Sequence, residues 1–438
     1  MLFHSTRGKD HNRTFEDVLM QGLAADGGLF MPDAWPQVDI EKIKTLDSFI
    51  DVAKCIVPLF TKSSFSDDEV LELLDDTWHD FSKENFATIH QLDDTKSILE
   101  LFHGPTAAFK DFGLQLAAAF FNKSLLKQNK TAKSFILLPD GNMSEVQRRQ
   151  MTTVDSPNVF TLRVNGTFDD CQDIVKQAFN ERSFLKDDQF LLAVNSINWV
   201  RIIGQICYYF YASLKTNQFK EPLNFSVPTG NFGNVFACYS AYKMGMPLNK
   251  ILVAVNDNNI LHRFFSENDY SKTKVSETLS PSMDISIASN FERLLYDFYA
   301  DRDCSICDDF YKNFPQSPIK LEKSMWKKSK DLFMSYSVDD ISTINAMKNT
   351  FTSYDYLIDP HTAVAIEAVD KINEKLDGET LILSTAHPAK FPEIVEDANL
   401  ELLDIPKTLS DVYNLDEKAS HMPASKELIF NFIIKNNL

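Results

Sequence analysis

The sequence has few cysteines, a deficit of positive charge and no long apolar run. Six cysteines are scattered over 438 residues, which is typical of a reducing compartment and argues against a disulfide framework. No stretch approaches the roughly 20 continuous apolar residues that cross a bilayer. The first residues lack a basic segment followed by an apolar run, so we expect no signal peptide. The expected location is cytoplasmic.

The charge balance limits the classes of partner. Lysine and arginine number 44 against 62 aspartate and glutamate residues, and the formal net charge is −18. Nucleic acids and anionic membranes bind cationic surfaces, so neither is an expected partner. An anionic ligand must therefore be held by a local site.

Cys304 and Cys307 form the only close cysteine pair. A zinc site would need a second Cys or His pair at ligand spacing, and the nearest downstream histidine is His361. We interpret the two cysteines as ordinary thiols rather than metal ligands or a redox pair, and we expect no metal.

Short apolar runs alternate with helical patterns after residue 110. This alternation predicts an α/β fold with a largely parallel sheet. The first hundred residues, including 66–81, indicate a helical N-terminal unit. Residues 266–301 are polar and irregular, which favours an excursion or a mobile segment. The predicted strands are 134–138, 159–164, 223–227, 250–255 and 380–383, and the predicted helices are 112–121 (buried), 170–182, 199–215 and, as helix or strand, 427–434.

Residues 101–113, LFHGPTAAFKDFG, place Lys110 among small and aromatic apolar residues at the start of a helix. Partial desolvation lowers the pKa of a lysine and frees the neutral amine that forms a Schiff base with an aldehyde. The alternative is a lysine that snorkels from the end of an amphipathic helix.

Two further segments follow predicted strands. Residues 227–234, VPTGNFGN, form a glycine-containing turn between a strand and a helix, an arrangement that suits a phosphate. The turn lacks the Walker lysine and the G-x-G-x-x-G spacing, so neither an NTP nor a dinucleotide is expected. Residues 383–391 offer hydroxyls that could bind a heteroaromatic nitrogen. The alternatives are an asparagine-capped turn and a Ser/Thr cap, respectively.

These segments resemble the threonine synthase family in order and spacing, nearly end to end. The resemblance is to its longer, yeast- and enterobacterial-type branch, which depends on pyridoxal phosphate and has the tryptophan-synthase-β-like fold, known as fold type II. The matching segments are HSTRG (4–8), GLAADGGLF (22–30), LFHGPTAAFKDFG (101–113), FDDC (168–171), NSINW (195–199), PTGNFGN (228–234), DPHTA (359–363) and TAHPAKF (385–391).

The resemblance implies a role for each matching residue. Lys110 matches the Schiff-base lysine, and Thr385 matches the hydroxyl that faces the pyridine nitrogen. The loop that binds the cofactor phosphate is matched by Gly230, Asn231, Phe232, Gly233 and Asn234, and candidates for holding substrate are Ser196 and Asn198.

The resemblance also implies an activity and a domain arrangement. Enzymes of this family are carbon–oxygen lyases acting on phosphates. They convert O-phospho-L-homoserine and water to L-threonine and phosphate. The implied domains are a threonine-synthase-type N-terminal domain (1–95), a catalytic region that binds pyridoxal phosphate in two subdomains (96–400) and a C-terminal extension (401–438). The oligomeric state is left open.

One family segment is missing between the lysine-bearing helix and the strand predicted at 134–138. Relatives carry there a strand, a Ser-Gly-Asp-Thr-Gly-type loop and a helix, of the order of 30 residues, and that loop helps to bind the anionic groups of the substrate. Here residues 126–133 connect the two elements directly. We expect an exposed strand edge beside the gap.

The residues after this strand offer little to replace that loop. Ser144 and Gln147 predict a capping box, and Asn142 stands where relatives have Lys or Arg. Arg148 and Arg149 are interpreted as solvated helix residues, with a contact to substrate phosphate as the alternative.

Three functions fit this pattern. The first is threonine synthase. The second is a non-catalytic relative, or a deletion form, that binds pyridoxal phosphate. The third is a lyase that releases phosphate from a related phospho-amino acid without making threonine.

Overall fold

The structure is a computed structural model that describes residues 1–81, 86–141, 143–181, 184–186, 189–192, 194–372, 375–402 and 404–436, with the backbone alone at 168, 169, 172 and 180. The chain forms two compact units. The first consists of Met1–Phe121, Ala193–Pro388 and Ile394–Glu401, and the second of Asn122–Leu192, Ala389–Glu393 and Leu402–Leu438.

The described strands belong to three sheets. In chain order they are β1 (Phe3–Ser5), β2 (Phe30–Pro32), β3 (Thr88–Gln91), β4 (Lys96–Glu100), β5 (Ser134–Pro139), β6 (Val159–Asn165), β7 (Leu223–Pro228), β8 (Leu248–Val255), β9 (Phe333–Ser337), β10 (Thr380–Ser384) and β11 (Ser420–Pro423).

Helices outnumber strands in the described part of the chain. They are α1 (Phe15–Gln21), α2 (Ile40–Ile43), α3 (Phe49–Ile56), α4 (Pro58–Thr61), α5 (Asp67–Thr77), α6 (Lys110–Lys127), α7 (Glu145–Thr152), α8 (Phe168–Asn180), α9 (Trp199–Asn217), α10 (Gly233–Lys243), α11 (Ile260–Glu267), α12 (Phe291–Leu294), α13 (Cys304–Lys312), α14 (Lys323–Lys328), α15 (Asp340–Tyr354), α16 (Pro360–Ile372), α17 (Pro392–Asp397), α18 (Lys407–Ser410) and α19 (Lys426–Asn436).

The first unit is built on a sheet with the strand order β3-β4-β10-β7-β8-β9. Its pairs are parallel except for β3 with β4. The strands buried between helices are apolar along most of their length, as in β10, where every residue is buried. This architecture confirms the predicted α/β fold with a largely parallel sheet.

Helix α9 is deeply buried in the first unit. All residues from Trp199 to Phe210 are buried, because the segment is apolar on every face and only Arg201, Gly204 and Gln205 interrupt it. A helix that is hydrophobic all round belongs in a core. Its predicted span of 199–215 is confirmed, and the structure extends it by two residues to Asn217.

The second unit holds a parallel sheet with the strand order β11-β6-β5. Its core includes Leu162, Ile174 and Ile429, from β6, α8 and α19. The predicted element at 427–434 is therefore a packed helix. Among the described strands, β5 pairs with β6 alone, so its other edge carries no strand, as expected beside the missing segment. Helix α6 and β5 are joined directly through residues 128–133.

Two sequence expectations need correction. Helix α6 is not buried all round: Phe112, Leu116 and Phe120 are buried along one face, whereas Ala118, on the opposite face, is exposed. The segment 266–301 is not irregular throughout. It lacks regular structure over much of its first part, but α12 is followed by a π-helical turn, Leu295–Tyr299, and both are largely buried.

In the described part of the chain, no helix is both long and apolar enough to traverse a membrane.

Candidate active site

Three neighbouring parallel strands, β4, β10 and β7, end at the same edge of the main sheet. Ser384 at the end of β10 pairs with Glu100 at the end of β4, and β10 also pairs with β7. The segments predicted to carry chemistry follow these three strand ends. Ligands of open α/β sheets bind at the carboxyl ends of the strands, so the topology brings the predicted site residues to one place.

The segment before Lys110 lies antiparallel to the segment that contains Thr385. The Phe109 N–H donates to the Thr385 carbonyl at 2.9 Å, and the His387 N–H donates to the Ala107 carbonyl at 3.1 Å. Ala107 has a φ of 51°, which turns the chain into α6. These bonds fix the start of α6, and hence Lys110, beside buried Thr385.

Lys110 is open to solvent and yet closely surrounded by protein. It is the first residue of α6 and is exposed. Desolvation by the surrounding protein nevertheless lowers its pKa to about 8; the positive charge of Arg201 acts in the same direction, and Asp111 opposes it. The Lys110 amine is therefore accessible to solvent and at the same time partly desolvated. Such an amine is available to an aldehyde in its neutral form.

Arg201 is a site residue that the sequence interpretation missed. It is 8% exposed, and burial lowers its pKa to about 10. Its Nη1 donates to the Val194 carbonyl at 3.3 Å, whereas its Nε has no hydrogen-bond partner. A buried guanidinium with an unused donor is suited to an anion. The signal in the sequence was a lone arginine within the apolar start of α9.

Two glycines bring Lys110 and Arg201 together. A Cβ on Gly204 of α9 would lie 2.8 Å from the Gly113 Cα of α6, and a Cβ on Gly113 would lie 2.7 Å from the Arg201 carbonyl oxygen. The two helix backbones therefore meet with no room for a side chain. This contact sets the distance between the amine at the start of α6 and the guanidinium on α9.

The loop after β7 forms the third part of the site. Phe232 adopts a left-handed conformation with a φ of 65°, and α10 begins at Gly233 without a side-chain cap. The first N–H groups of a helix have no partner within the helix and attract an anion. A Cβ on Gly230 would lie 2.8 Å from the Ser282 carbonyl oxygen, so only glycine fits this turn. The Phe232 ring is buried against Phe291.

Asn234 carries an unused donor beside these N–H groups. Its Oδ1 accepts hydrogen bonds from the Tyr208 and Tyr209 hydroxyls, which fixes the orientation of the amide. Its Nδ2 is buried and has no hydrogen-bond partner. An unpaired buried donor is costly unless a ligand meets it. Together with the amine of Lys110, this donor set fits a phosphorylated aldehyde such as pyridoxal phosphate.

The two candidates for holding substrate differ in their surroundings. Asn198 is buried; its Oδ1 accepts from the Val200 N–H and caps α9, while its Nδ2 donates to the Leu19 carbonyl at 2.9 Å. Its amide therefore holds the start of α9. Ser196 is only partly buried, and its carbonyl accepts a hydrogen bond from Asn290.

The arginines of α7 have partners within the second unit. Arg148 Nε and Nη2 donate to Glu417 at 3.0 and 2.9 Å, and Arg149 Nε donates to Glu145 at 2.7 Å. Ser144 caps the helix by accepting from the Gln147 N–H. Asn142 lies outside the described residues.

The described cysteines are all free thiols. Among the described residues, no group of three His, Cys, Asp or Glu side chains could hold a metal ion.

Three family models match the chain. The model described as "Threonine synthase N terminus" matches residues 2–78, "Pyridoxal-phosphate dependent enzyme" matches 132–309, and "Threonine synthase, C-terminal" matches 362–433.

The chain is also similar to individual threonine synthases over nearly its full length. Threonine synthase of Pseudomonas aeruginosa is 38% identical over 452 aligned positions, which cover 97% of this chain and 96% of that protein. The aligned positions outnumber the 438 residues of this chain, so the relative carries residues that this chain lacks.

Solved structures agree with these sequence matches. The crystal structure of threonine synthase from Brucella melitensis with bound pyridoxal phosphate matches with a TM-score of 0.94 and 33% identity, covering 99% of both chains. The yeast threonine synthase matches with a TM-score of 0.91 and 34% identity, covering 100% of this chain and 98% of that one. Fold type II and pyridoxal phosphate as the cofactor are thereby confirmed, and the chain belongs to the threonine synthase family.

Proposed function

We propose that this protein converts O-phospho-L-homoserine and water to L-threonine and phosphate, with Lys110 as the lysine that links pyridoxal phosphate. The observation that carries the proposal is the meeting of Lys110, the loop 230–234 and Thr385 at the ends of β4, β7 and β10. A reactive amine, a phosphate-binding helix start and a hydroxyl are the groups that this cofactor requires.

The cofactor, when bound, supplies an electron sink for carbanion chemistry. The protein supplies orientation and proton transfer. The phosphate would be held by the first N–H groups of α10 and the Asn234 amide, and Thr385 would face the ring nitrogen. Lys110 Nζ, with its pKa lowered to about 8, can both accept and return protons near neutral pH. We assign it the proton transfers at substrate Cα and Cβ that accompany departure of phosphate from Cγ.

Arg201 is our candidate for binding an anionic group of the substrate. O-Phosphohomoserine carries a carboxylate and a phosphate, and the protein itself has a net charge of −18. A local buried cation is therefore needed. The unpartnered Nε of Arg201, close enough to Lys110 to lower its pKa, would meet that need in place of the donors lost with the missing segment. Ser196 and Asn198 remain candidates beside it.

The competing functions differ in their products. A threonine synthase releases one threonine for each phosphate, because water adds at Cβ after phosphate leaves. A phospho-lyase releases phosphate with a keto acid and ammonia, and a non-catalytic relative binds the cofactor without releasing phosphate.

The test is a product assay on the purified protein loaded with pyridoxal phosphate. After addition of O-phosphohomoserine we expect threonine and phosphate in equal amounts. Lys110→Ala should abolish both the visible cofactor band and product formation. Lys127→Ala, at the far end of the same helix, should retain them.

Release of phosphate together with a keto acid would contradict the proposal and show that the protein is a phospho-lyase. A visible band without phosphate release would replace it by the non-catalytic relative.

We place this activity in the cytoplasm. Few, scattered and unpaired cysteines support a reducing compartment.

A further inference from the structure

Two fully buried polar residues lie between the phosphate loop and the segment that carries Ser196. They are Asn290 and Arg293, and both are 0% exposed. Neither belongs to a segment that the sequence linked to chemistry. Buried polar groups are costly unless they are paired, so their partners indicate what they stabilise.

Asn290 donates hydrogen bonds to the backbone of both site segments. Its backbone N–H and its Nδ2 donate to the Asn231 carbonyl at 3.0 and 3.1 Å. The same Nδ2 donates to the Ser196 carbonyl at 3.3 Å. One amide nitrogen therefore links the loop proposed to bind the cofactor phosphate to the segment proposed to bind substrate.

Arg293 fixes the orientation of that amide. Its Nη1 donates to the Asn290 Oδ1, so the Nδ2 must face the two carbonyls. Its other nitrogens are held by backbone carbonyls: Nη2 donates to Ile197 at 2.7 Å and Nε to Phe30 at 3.1 Å. The guanidinium also lies over the Trp199 ring, 5.2 Å from its centroid. Arg293 therefore fixes the Asn290 side-chain amide in one orientation.

The two carbonyl contacts determine where the following N–H groups point. In a trans peptide the C=O and the next N–H point in opposite directions. With the Asn231 carbonyl bound to Asn290, the Phe232 N–H is directed away from Asn290. In the same way, the Ile197 N–H is directed away because the Ser196 carbonyl is bound. The contacts of Asn290 therefore determine the direction of two backbone donors, the N–H groups of Phe232 and Ile197.

We propose that Asn290 is a positioning residue that couples the phosphate loop to the substrate segment, held in place by Arg293. The proposal rests on the site assignment made above for the loop 230–234. Asn290 contacts neither cofactor nor substrate in this role; it acts through the backbone of Asn231 and Ser196.

The test uses Asn290→Asp, which keeps the shape of the side chain. The variant retains the acceptor for Arg293 and the backbone N–H, but loses the Nδ2 donor to both carbonyls. The dissociation constants of the apoprotein for pyridoxal phosphate and for pyridoxal, which lacks the phosphate, are measured by titration of the visible absorbance.

Of the two ligands, only pyridoxal phosphate carries the phosphate group that the loop 230–234 would bind. We expect the Kd for pyridoxal phosphate to rise about tenfold, from the loss of one to two hydrogen bonds, and the Kd for pyridoxal to change less than about twofold.

Asn224→Asp is the matched control. Asn224 is also buried, and its Nδ2 donates to the Asp377 carbonyl at 2.8 Å, near the opposite end of β7. It should leave the Kd for pyridoxal phosphate unchanged. If Asn290→Asp does not fold, Asn290→Ala removes the same donor without a charge and is measured in its place.

Two results would overturn the inference. One is an unchanged Kd for pyridoxal phosphate in the folded Asn290 variant; the other is an equal rise for both ligands, which would indicate a general structural role. The two Kd values of the wild-type protein distinguish failure of the Asn290 inference from failure of the proposed function. If it binds pyridoxal phosphate no more tightly than pyridoxal, the assignment of the phosphate loop fails first.

Discussion

At the scale of single residues, Lys110 combines solvent exposure with a lowered pKa. Both follow from its position at the start of α6, where the chain enters from the Ala107 turn. The surrounding protein desolvates the ammonium, and the positive charge of Arg201 disfavours a second positive charge nearby, while the carboxylate of Asp111 acts in the opposite direction. The sequence predicted the first effect from the apolar neighbours of Lys110. It did not predict the second, because Arg201 is 91 positions away and only the fold brings it close.

The lowered pKa predicts the pH dependence of cofactor attachment. Only the neutral amine attacks an aldehyde, so the rate at which the apoprotein reacts with pyridoxal should rise with pH through a midpoint near 8. Pyridoxal has no phosphate that titrates, and the titration of its ring nitrogen is corrected for with the rate of its reaction with free lysine over the same pH range. The measurement is the stopped-flow rate of appearance of the visible band. A midpoint close to the ordinary lysine value of 10.5 would contradict this account of Lys110.

Replacement of Arg201 tests the second cause of the lowered Lys110 pKa, which acts beside desolvation. Arg201→Gln removes the positive charge that lowers the pKa of Lys110, so the midpoint of the same profile should move to higher pH. It should also raise KM for O-phosphohomoserine about tenfold or more, the usual cost of a lost hydrogen bond to a charged group. Lys176→Gln, at an exposed position of α8 in the second unit, is the control. An unchanged midpoint together with an unchanged KM would show that Arg201 neither affects Lys110 nor binds the substrate.

At the level of helices and strands, the sequence predicted the central residues of each element better than its first and last residues. The strand predicted at 134–138 is Ser134–Pro139, and that predicted at 250–255 is Leu248–Val255. The helix predicted at 170–182 begins earlier, at Phe168, because Thr167 and Asp170 form a capping box that the apolar pattern does not reveal. Asn290 and Arg293 were missed because the sequence analysis interpreted the whole of 266–301 as polar and irregular, and because the backbone carbonyls that they bind lie far away in the chain.

The contact between α6 and α9 makes a prediction at this scale. Gly204→Ala would place a Cβ 2.8 Å from the Gly113 Cα and the Phe112 carbonyl oxygen, so the two helices must separate. Overpacking of this kind costs about 1 to 3 kcal/mol in unfolding free energy. Denaturant titration measures this loss, and the affinity for pyridoxal phosphate should fall with it.

Lys215→Ala, near the exposed end of α9, should change stability by less than about 0.5 kcal/mol. A Gly204→Ala variant as stable as the wild type would show that the helices are not in the close contact described.

At the scale of the whole molecule, the family, fold type and cofactor could be recognised from dispersed segments of sequence. What the sequence could not supply was the set of contacts that join these segments: the antiparallel pairing of Phe109 with Thr385, the glycine contact between α6 and α9, and the amide of Asn290. Each joins residues far apart in the chain, where no local pattern exists. The missing segment was visible in the sequence, and β5 indeed lacks a second partner among the described strands.

Lys110 is proposed above as the residue to which the cofactor is attached. The most direct test is to reduce the protein loaded with pyridoxal phosphate with borohydride, digest it and locate the modified lysine by mass spectrometry. We expect a single phosphopyridoxyl group on Lys110, lost in Lys110→Ala and retained in Lys127→Ala. A modification carried by another lysine, with Lys110 unmodified, would contradict it.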